Sequence, residues 1–318
     1  MQNVFVTRVI PQIGIDILNR ELGGCDVNSA DTPLSKDALK AQVKGRTGIV
    51  CLLTDVIDGE ILDAAGPQLK IVSNVAVGYN NIDVKAATAR NVIVTNTPGV
   101  LTEATADLTW ALLMATARRL GESERVMRAH NWHGWGILQF LGQEVGGRTL
   151  GIVGAGRIGA AVARRARGFD MRVLYTSRSP KPEMDELNAD RVDLDTLLKE
   201  SDFVSLHVPL TPETKHIIGA RELNLMKPTA HVINTARGPV IDEAALAAAL
   251  KAGTIAGAGL DVYEAEPVVH PALFECENAI LLPHIGSATH STRNKMAEMA
   301  ANNCAAVLQG KGALNPVN

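Results

Sequence analysis

The chain has 318 residues, 46% of them hydrophobic and 20% charged, a composition that suits about two globular domains with sizeable cores. A formal net charge of −3 and a sequence pI near 6.3 give no electrostatic footprint for nucleic acid or an anionic membrane surface. Cys25, Cys51, Cys276 and Cys304 form no CxxC pair, which argues against a metal site or a disulfide framework and for reduced thiols in a cytoplasmic setting.

The N-terminus lacks the basic segment and apolar run of a signal peptide, and no stretch reaches the roughly 18 apolar residues of a membrane span. Short β-branched runs alternate with helical patterns, which predicts α/β architecture with parallel sheets covered on both faces. The first set of strand-like runs covers 4–9, 25–28, 48–53, 70–75 and 92–96, with helices at about 12–21, 35–43, 57–65 and 82–89. Asp55 and Asp58 read as helix-start residues. A long helix is expected over 102–120, with Thr102 as N-cap and Glu103 in its first turn, then a second helix to about His130. Gly121 and the Trp132–Gly136 segment break this pattern.

Six further strands are expected at 149–153, 172–175, 203–208, 231–234, 257–262 and 279–282, a full dinucleotide-sized sheet. Asp242 precedes an alanine-rich helix and reads as its cap. The last helix covers about 289–309, with Gly310 as its stop. The chain is expected to cross between domains near 97–101 and 285–288.

Gly154, Gly156 and Gly159 form a GxGxxG loop, with Arg157 and Ile158 inside it, between an apolar strand and a helical run. Such a loop turns tightly, admits a pyrophosphate to its backbone and offers it a helix N-terminus. After the next strand, where NAD-binding units carry an acidic residue, stand Ser177, Arg178 and Ser179. A carboxylate would repel a 2′-phosphate, whereas Arg with Ser binds one, so NADP(H) is the preferred cofactor and NAD(H) the second choice. The alternative is that Arg178 stacks on adenine or is solvated.

In open α/β sheets function sits beyond the carboxyl ends of the strands. Arg237, Glu266 and His284 follow the last three predicted strands in turn. Reducing a 2-keto acid needs a fork for the carboxylate, a proton for the carbonyl oxygen and a carboxylate to orient the proton donor; Arg, His and Glu supply these. Singly, Arg237 reads as a turn residue before Gly238-Pro239, Glu266 as part of an acidic loop and His284 as one histidine of eight.

The segments 75–83, 154–159, 207–212, 234–238, 259–267 and 283–289 together make the chain resemble the D-isomer-specific 2-hydroxyacid dehydrogenases, most closely the glyoxylate/hydroxypyruvate reductase branch. The resemblance implies two doubly wound parallel-sheet domains: a Rossmann-type cofactor domain over 100–285, and a smaller flavodoxin-like substrate domain made of 1–99 and 286–318. It implies Arg237, Glu266 and His284 as the catalytic set, with His284 as proton donor. Substrate would also meet Leu53 and the backbone of Val77 and Gly78. Val208, Pro209, Thr235, Ala236, Asp261 and Gly286 would contact the cofactor, Asp261 near the nicotinamide amide. Members of the family commonly dimerise through the region matching 102–140, which makes Trp132 and Trp135 candidate interface residues. The rivals are a non-catalytic dinucleotide-sensing interaction protein on the same fold, and an enzyme for another acid such as phosphoglycerate.

Overall fold

The computed structural model of the protein describes residues 3–318. Its internal contacts divide the chain into two compact units: residues up to Leu101 with Ser287–Asn318, and Thr102–Gly286.

The first unit holds β1 (Val4–Val6), β2 (Asp26–Val27), β3 (Gly48–Cys51), β4 (Ile71–Asn74) and β5 (Ile93–Thr95). They lie in the order β2-β1-β3-β4-β5, every pair parallel, the flavodoxin-like order. β1, β3 and β4 are buried at every position, as strands covered on both faces must be. Between the strands run α1 (Gln12–Leu22), α2 (Lys36–Val43), α3 (Gly59–Ala65) and α4 (Val84–Ala89); the C-terminal helix, His290–Leu308, returns to this unit. A Cβ on Gly14 would lie 2.9 Å from Ile10 Cδ1 and 3.1 Å from Ala297 O, so glycine lets α1 lie close on the C-terminal helix. Thr289 caps that helix by accepting the Thr292 N–H, and Gly310, expected as its stop, has φ +76° just beyond it. Asp58 does start α3, accepting the Glu60 and Ile61 amides. Asp55 does not start a helix. It is buried and accepts the Thr7 hydroxyl at 2.5 Å and the Leu52 N–H at 2.8 Å, bracing the loop after β3.

The second unit holds β6 (Thr149–Val153), β7 (Arg172–Thr176), β8 (Asp190–Arg191), β9 (Phe203–Leu206), β10 (His231–Asn234), β11 (Gly257–Leu260) and β12 (Ala279–Leu281). Their order is β12-β11-β10-β9-β6-β7-β8, all parallel: the Rossmann order with one strand added beyond β11. The strand order reverses between β6 and β9, which is where such sheets bind ligands. The helices are α5 (Thr102–Ala117), α6 (Leu120–Arg128), α7 (Arg157–Ala166), α8 (Pro182–Asp185), α9 (Leu194–Glu200), α10 (Ala220–Leu225) and α11 (Glu243–Ala252). Asp242 caps α11 through the Ala245 amide, as expected.

Three expectations need correction here. The sheet has seven strands, not six: β8 is two exposed polar residues with no apolar run to announce it. Thr102 is the first residue of α5 rather than its N-cap. The long helix breaks at Arg119, which adopts φ +53°, and not at Gly121, which lies inside α6. Gly121 serves packing instead, since a Cβ there would already touch Ile280 at 3.4 Å.

Candidate active site

The glycine loop follows β6. Gly154 has φ +100°, and a Cβ on it would lie 2.7 Å from the His207 carbonyl carbon at the end of β9. A Cβ on Gly159 would strike Gly154 O at 2.3 Å. These two glycines let strand, turn and helix close up. Gly156 differs: a Cβ there would meet nothing within 4 Å. The backbone at Gly156 therefore borders open space at the point where α7 begins. Among the described residues no side chain caps α7, whereas Asp193 and Asp242 cap α9 and α11. Uncapped first amides beside an open glycine backbone fit a pyrophosphate. Val208 packs its side chain over Gly154, and Pro209 beside it is exposed. Burial pulls His207 down to about 3, so it stays neutral, with Nε2 2.8 Å from Ser205 Oγ.

Past β7, Ser177, Arg178 and Ser179 form a surface loop in which the Ser177 hydroxyl donates to Ser179 O at 2.6 Å.

Arg237, Glu266 and His284 all lie in the second unit, beyond the carboxyl ends of β10, β11 and β12. Arg237 sits on a turn braced by Asn234, whose Oδ1 accepts the Ala236 N–H at 3.0 Å and whose Nδ2 donates to Arg237 O at 3.0 Å. The next residue must be glycine: a Cβ on Gly238 would lie 1.8 Å from the Tyr263 carbonyl carbon. This contact seats the Arg237 turn directly on the loop that carries Glu266. Burial lowers the Arg237 guanidinium from its ordinary value, and the charge of Glu266 works in the opposite sense.

Glu266 accepts the Tyr263 N–H at 3.1 Å through Oε1 and meets His284 Nδ1 at 2.8 Å through Oε2. Burial pushes its carboxyl up, but the hydrogen bond and charge of His284, the Tyr263 amide and Arg237 outweigh it. Glu266 is therefore held below the usual carboxylate range. His284, with a quarter of its side chain exposed, takes the left-handed φ of +54°, which non-glycine residues enter rarely.

Asp261, at 1% exposure, accepts Ile285 N–H on Oδ1 and Gly286 N–H on Oδ2, both at 2.7 Å. Gly286 O in turn accepts the Thr105 hydroxyl of α5. Thus the two residues after His284 are clamped. Thr235 is turned the other way: its hydroxyl lies 2.8 Å from that of Thr109 in α5 and is buried.

In the first unit, Leu53, Val77 and Gly78 are half-buried beyond the ends of β3 and β4. Asn96 Nδ2 donates to Val77 O at 2.8 Å and Asn74 Nδ2 to Gly78 O at 2.9 Å. Both carbonyls are occupied by side chains, which fixes how the intervening peptide is turned. Sequence reasoning missed these two asparagines, Asn234 and the clamping role of Asp261. Their partners are backbone groups, which no residue pattern advertises.

Residues 110–286 match the family model for the D-isomer specific 2-hydroxyacid dehydrogenase NAD-binding domain. The chain is 54% identical over 313 residues to a glyoxylate reductase of Thermococcus gammatolerans, covering 97% of this chain and 93% of that one. A crystal structure of a Thermus thermophilus protein superposes with a TM-score of 0.93 at 46% identity, covering 100% of both chains. An NADPH-dependent glyoxylate/hydroxypyruvate reductase of Sinorhizobium meliloti, solved with NADP and malonate, gives 0.86 at 35% identity over 99% of this chain and 96% of that one. This chain belongs to the D-isomer specific 2-hydroxyacid dehydrogenases.

Proposed function

We propose that the protein reduces a small 2-keto acid of the glyoxylate or hydroxypyruvate type to the D-2-hydroxy acid, preferring NADPH over NADH. The observation that carries this reading is the 2.8 Å pair of Glu266 and His284 beside the half-buried Arg237, at three neighbouring strand ends. The bound nicotinamide nucleotide supplies the hydride. Arg237 forks the substrate carboxylate and polarises the carbonyl. His284 gives a proton to the carbonyl oxygen; with Nδ1 engaged by Glu266, Nε2 is the atom that carries it. Glu266 fixes the ring and balances the charge of the imidazolium.

The second unit serves as the dinucleotide-binding domain and the first as the substrate domain. Gly154, Gly156, Arg157, Ile158 and Gly159 hold the pyrophosphate. Ser177, Arg178 and Ser179 hold the 2′-phosphate. Val208, Pro209, Thr235, Ala236, Asp261 and Gly286 frame the rest of the cofactor; the side chains of Thr235 and Asp261 are engaged within the protein, so these two residues act through position or backbone. The Val77 and Gly78 amides bind carboxylate and Leu53 faces the substrate. The working form is a cytoplasmic homodimer.

Steady-state kinetics with glyoxylate, hydroxypyruvate, pyruvate and phosphohydroxypyruvate, each with NADPH and NADH, tests the reading. The highest kcat/KM is expected for glyoxylate or hydroxypyruvate with NADPH. Absence of turnover with all four acids would overturn the reaction, and a higher kcat/KM with NADH would overturn the cofactor preference.

A further inference from the structure

The loop after β7 is held by a residue that no strand pattern predicts. Arg191, on the two-residue edge strand β8, donates Nε and Nη2 to Ser177 O at 3.3 and 2.9 Å, and Nη2 to Arg178 O at 3.3 Å. The Ser177 hydroxyl donates to Ser179 O at 2.6 Å. All three carbonyls of the loop therefore accept from side chains. β8 pairs Arg191 with Tyr175, and the next residue, Val192, donates its N–H to Tyr175 O at 2.9 Å, which sets the guanidinium beside the loop; the other β8 residue, Asp190, accepts from Arg172.

The physical consequence concerns anions. A carbonyl oxygen turned toward a phosphate repels it, and a loop free to turn its carbonyls outward binds phosphate poorly. Drawing two successive carbonyls onto one planar fork aims them away from whatever Arg178 engages, and brings a second fixed positive charge to the loop. We infer that Arg191 is the positioning residue that makes the Ser177–Ser179 loop selective for a 2′-phosphorylated adenosine. The inference rests on the reading of Ser177, Arg178 and Ser179 as the 2′-phosphate site.

The test compares wild type, Arg191→Ala, Arg191→Lys and Arg178→Ala. Calorimetry gives the Kd ratio for 2′,5′-ADP over 5′-AMP, and kinetics gives the kcat/KM ratio for NADPH over NADH. Arg191→Ala is expected to cut both selectivity ratios about tenfold, the size of one lost charge-assisted contact. Arg191→Lys keeps the charge but loses the planar fork, and is expected to recover little. If the Ala variant does not fold, Arg191→Gln replaces it with the same expectation. Equal weakening of both nucleotides, unchanged ratios, or full recovery by Lys would overturn the inference. Loss of selectivity in Arg178→Ala but not in Arg191→Ala would overturn the inference while leaving the 2′-phosphate reading standing. A wild-type protein that binds 5′-AMP as tightly as 2′,5′-ADP would overturn both.

Discussion

His284 carries two demands that meet in one residue. Its ring must reach Glu266, and its backbone must hold φ +54°. For a residue with a side chain that conformation costs about 1–3 kcal/mol, which the surroundings must offset. Asp261 supplies part of the offset by taking both following amides. Substitutions at this position therefore separate chemistry from fold. Asn enters the left-handed region readily, so His284→Asn should melt close to wild type while kcat falls by about 10²–10⁴, the contribution of a general acid. His284→Val loses the same chemistry and adds strain, so its melting temperature should drop as well. Calorimetric melting with single-turnover kinetics on both variants checks this. Retained turnover in His284→Asn would remove His284 from the proton-donor role. The placement of Arg237, Glu266 and His284 beyond three successive strands was legible in sequence, because each polar residue follows an apolar run within a few positions. The left-handed backbone was not, since nothing in Pro283-His284-Ile285 requires it.

The loops that carry Glu266 and His284 are held by carboxylates from their own scaffold. Glu243, the first residue of α11 and 5% exposed, accepts the Glu264 N–H and, at 3.1 Å, the His270 N–H. Glu264 returns the bond by accepting the Glu243 N–H at 2.8 Å. Tyr263 donates its hydroxyl to Leu282 O at 2.9 Å, which ties the exit of β11 to that of β12. Asp261 is the tie next to His284, and each of its oxygens serves one amide. Asp261→Asn turns one acceptor into an NH₂ group that faces a backbone N–H. Unfolding free energy should fall by about 1–3 kcal/mol, the penalty for an unmet buried donor. kcat should fall with it, because the turn next to His284 loosens. Urea titration and initial rates at saturating substrate give the two numbers; wild-type values for both would show that the clamp is dispensable. At this scale the sequence was legible where a short apolar run stands between turn residues, as in β6 and β10, or where a glycine stop follows a helix, as at Gly310 after the C-terminal helix. It was illegible where an element is short and polar, as in β8, or where a non-glycine residue turns the chain, as at Arg119.

On the whole-molecule scale, the segment after α5 is built unlike the rest of the second unit. Leu120, Met127, Trp132, Trp135, Ile137, Leu138 and Leu141 are all exposed, with Trp135 at 78%, Ile137 at 71% and Leu138 at 79%. Scattered exposed apolar residues are ordinary, but seven within 22 residues of one segment are a concentration of exposed apolar side chains that water does not favour. Burying a side chain of this size is worth about 1.5–3 kcal/mol, so covering several of them supports a stable association. A second copy of the chain is the proposed cover, consistent with the homodimer reading. A symmetric pairing places each of these residues in both halves of the contact, so one substitution acts twice per dimer. Leu138→Glu should therefore convert the dimer to a monomer at micromolar concentration in light scattering, and Trp135→Ala should weaken it less. Since Leu138 is exposed within its own subunit, the glutamate has no core to disturb, and far-UV circular dichroism should match wild type. A wild-type protein that scatters as a monomer at all concentrations would reject the pairing, as would a Leu138→Glu variant that remains fully dimeric.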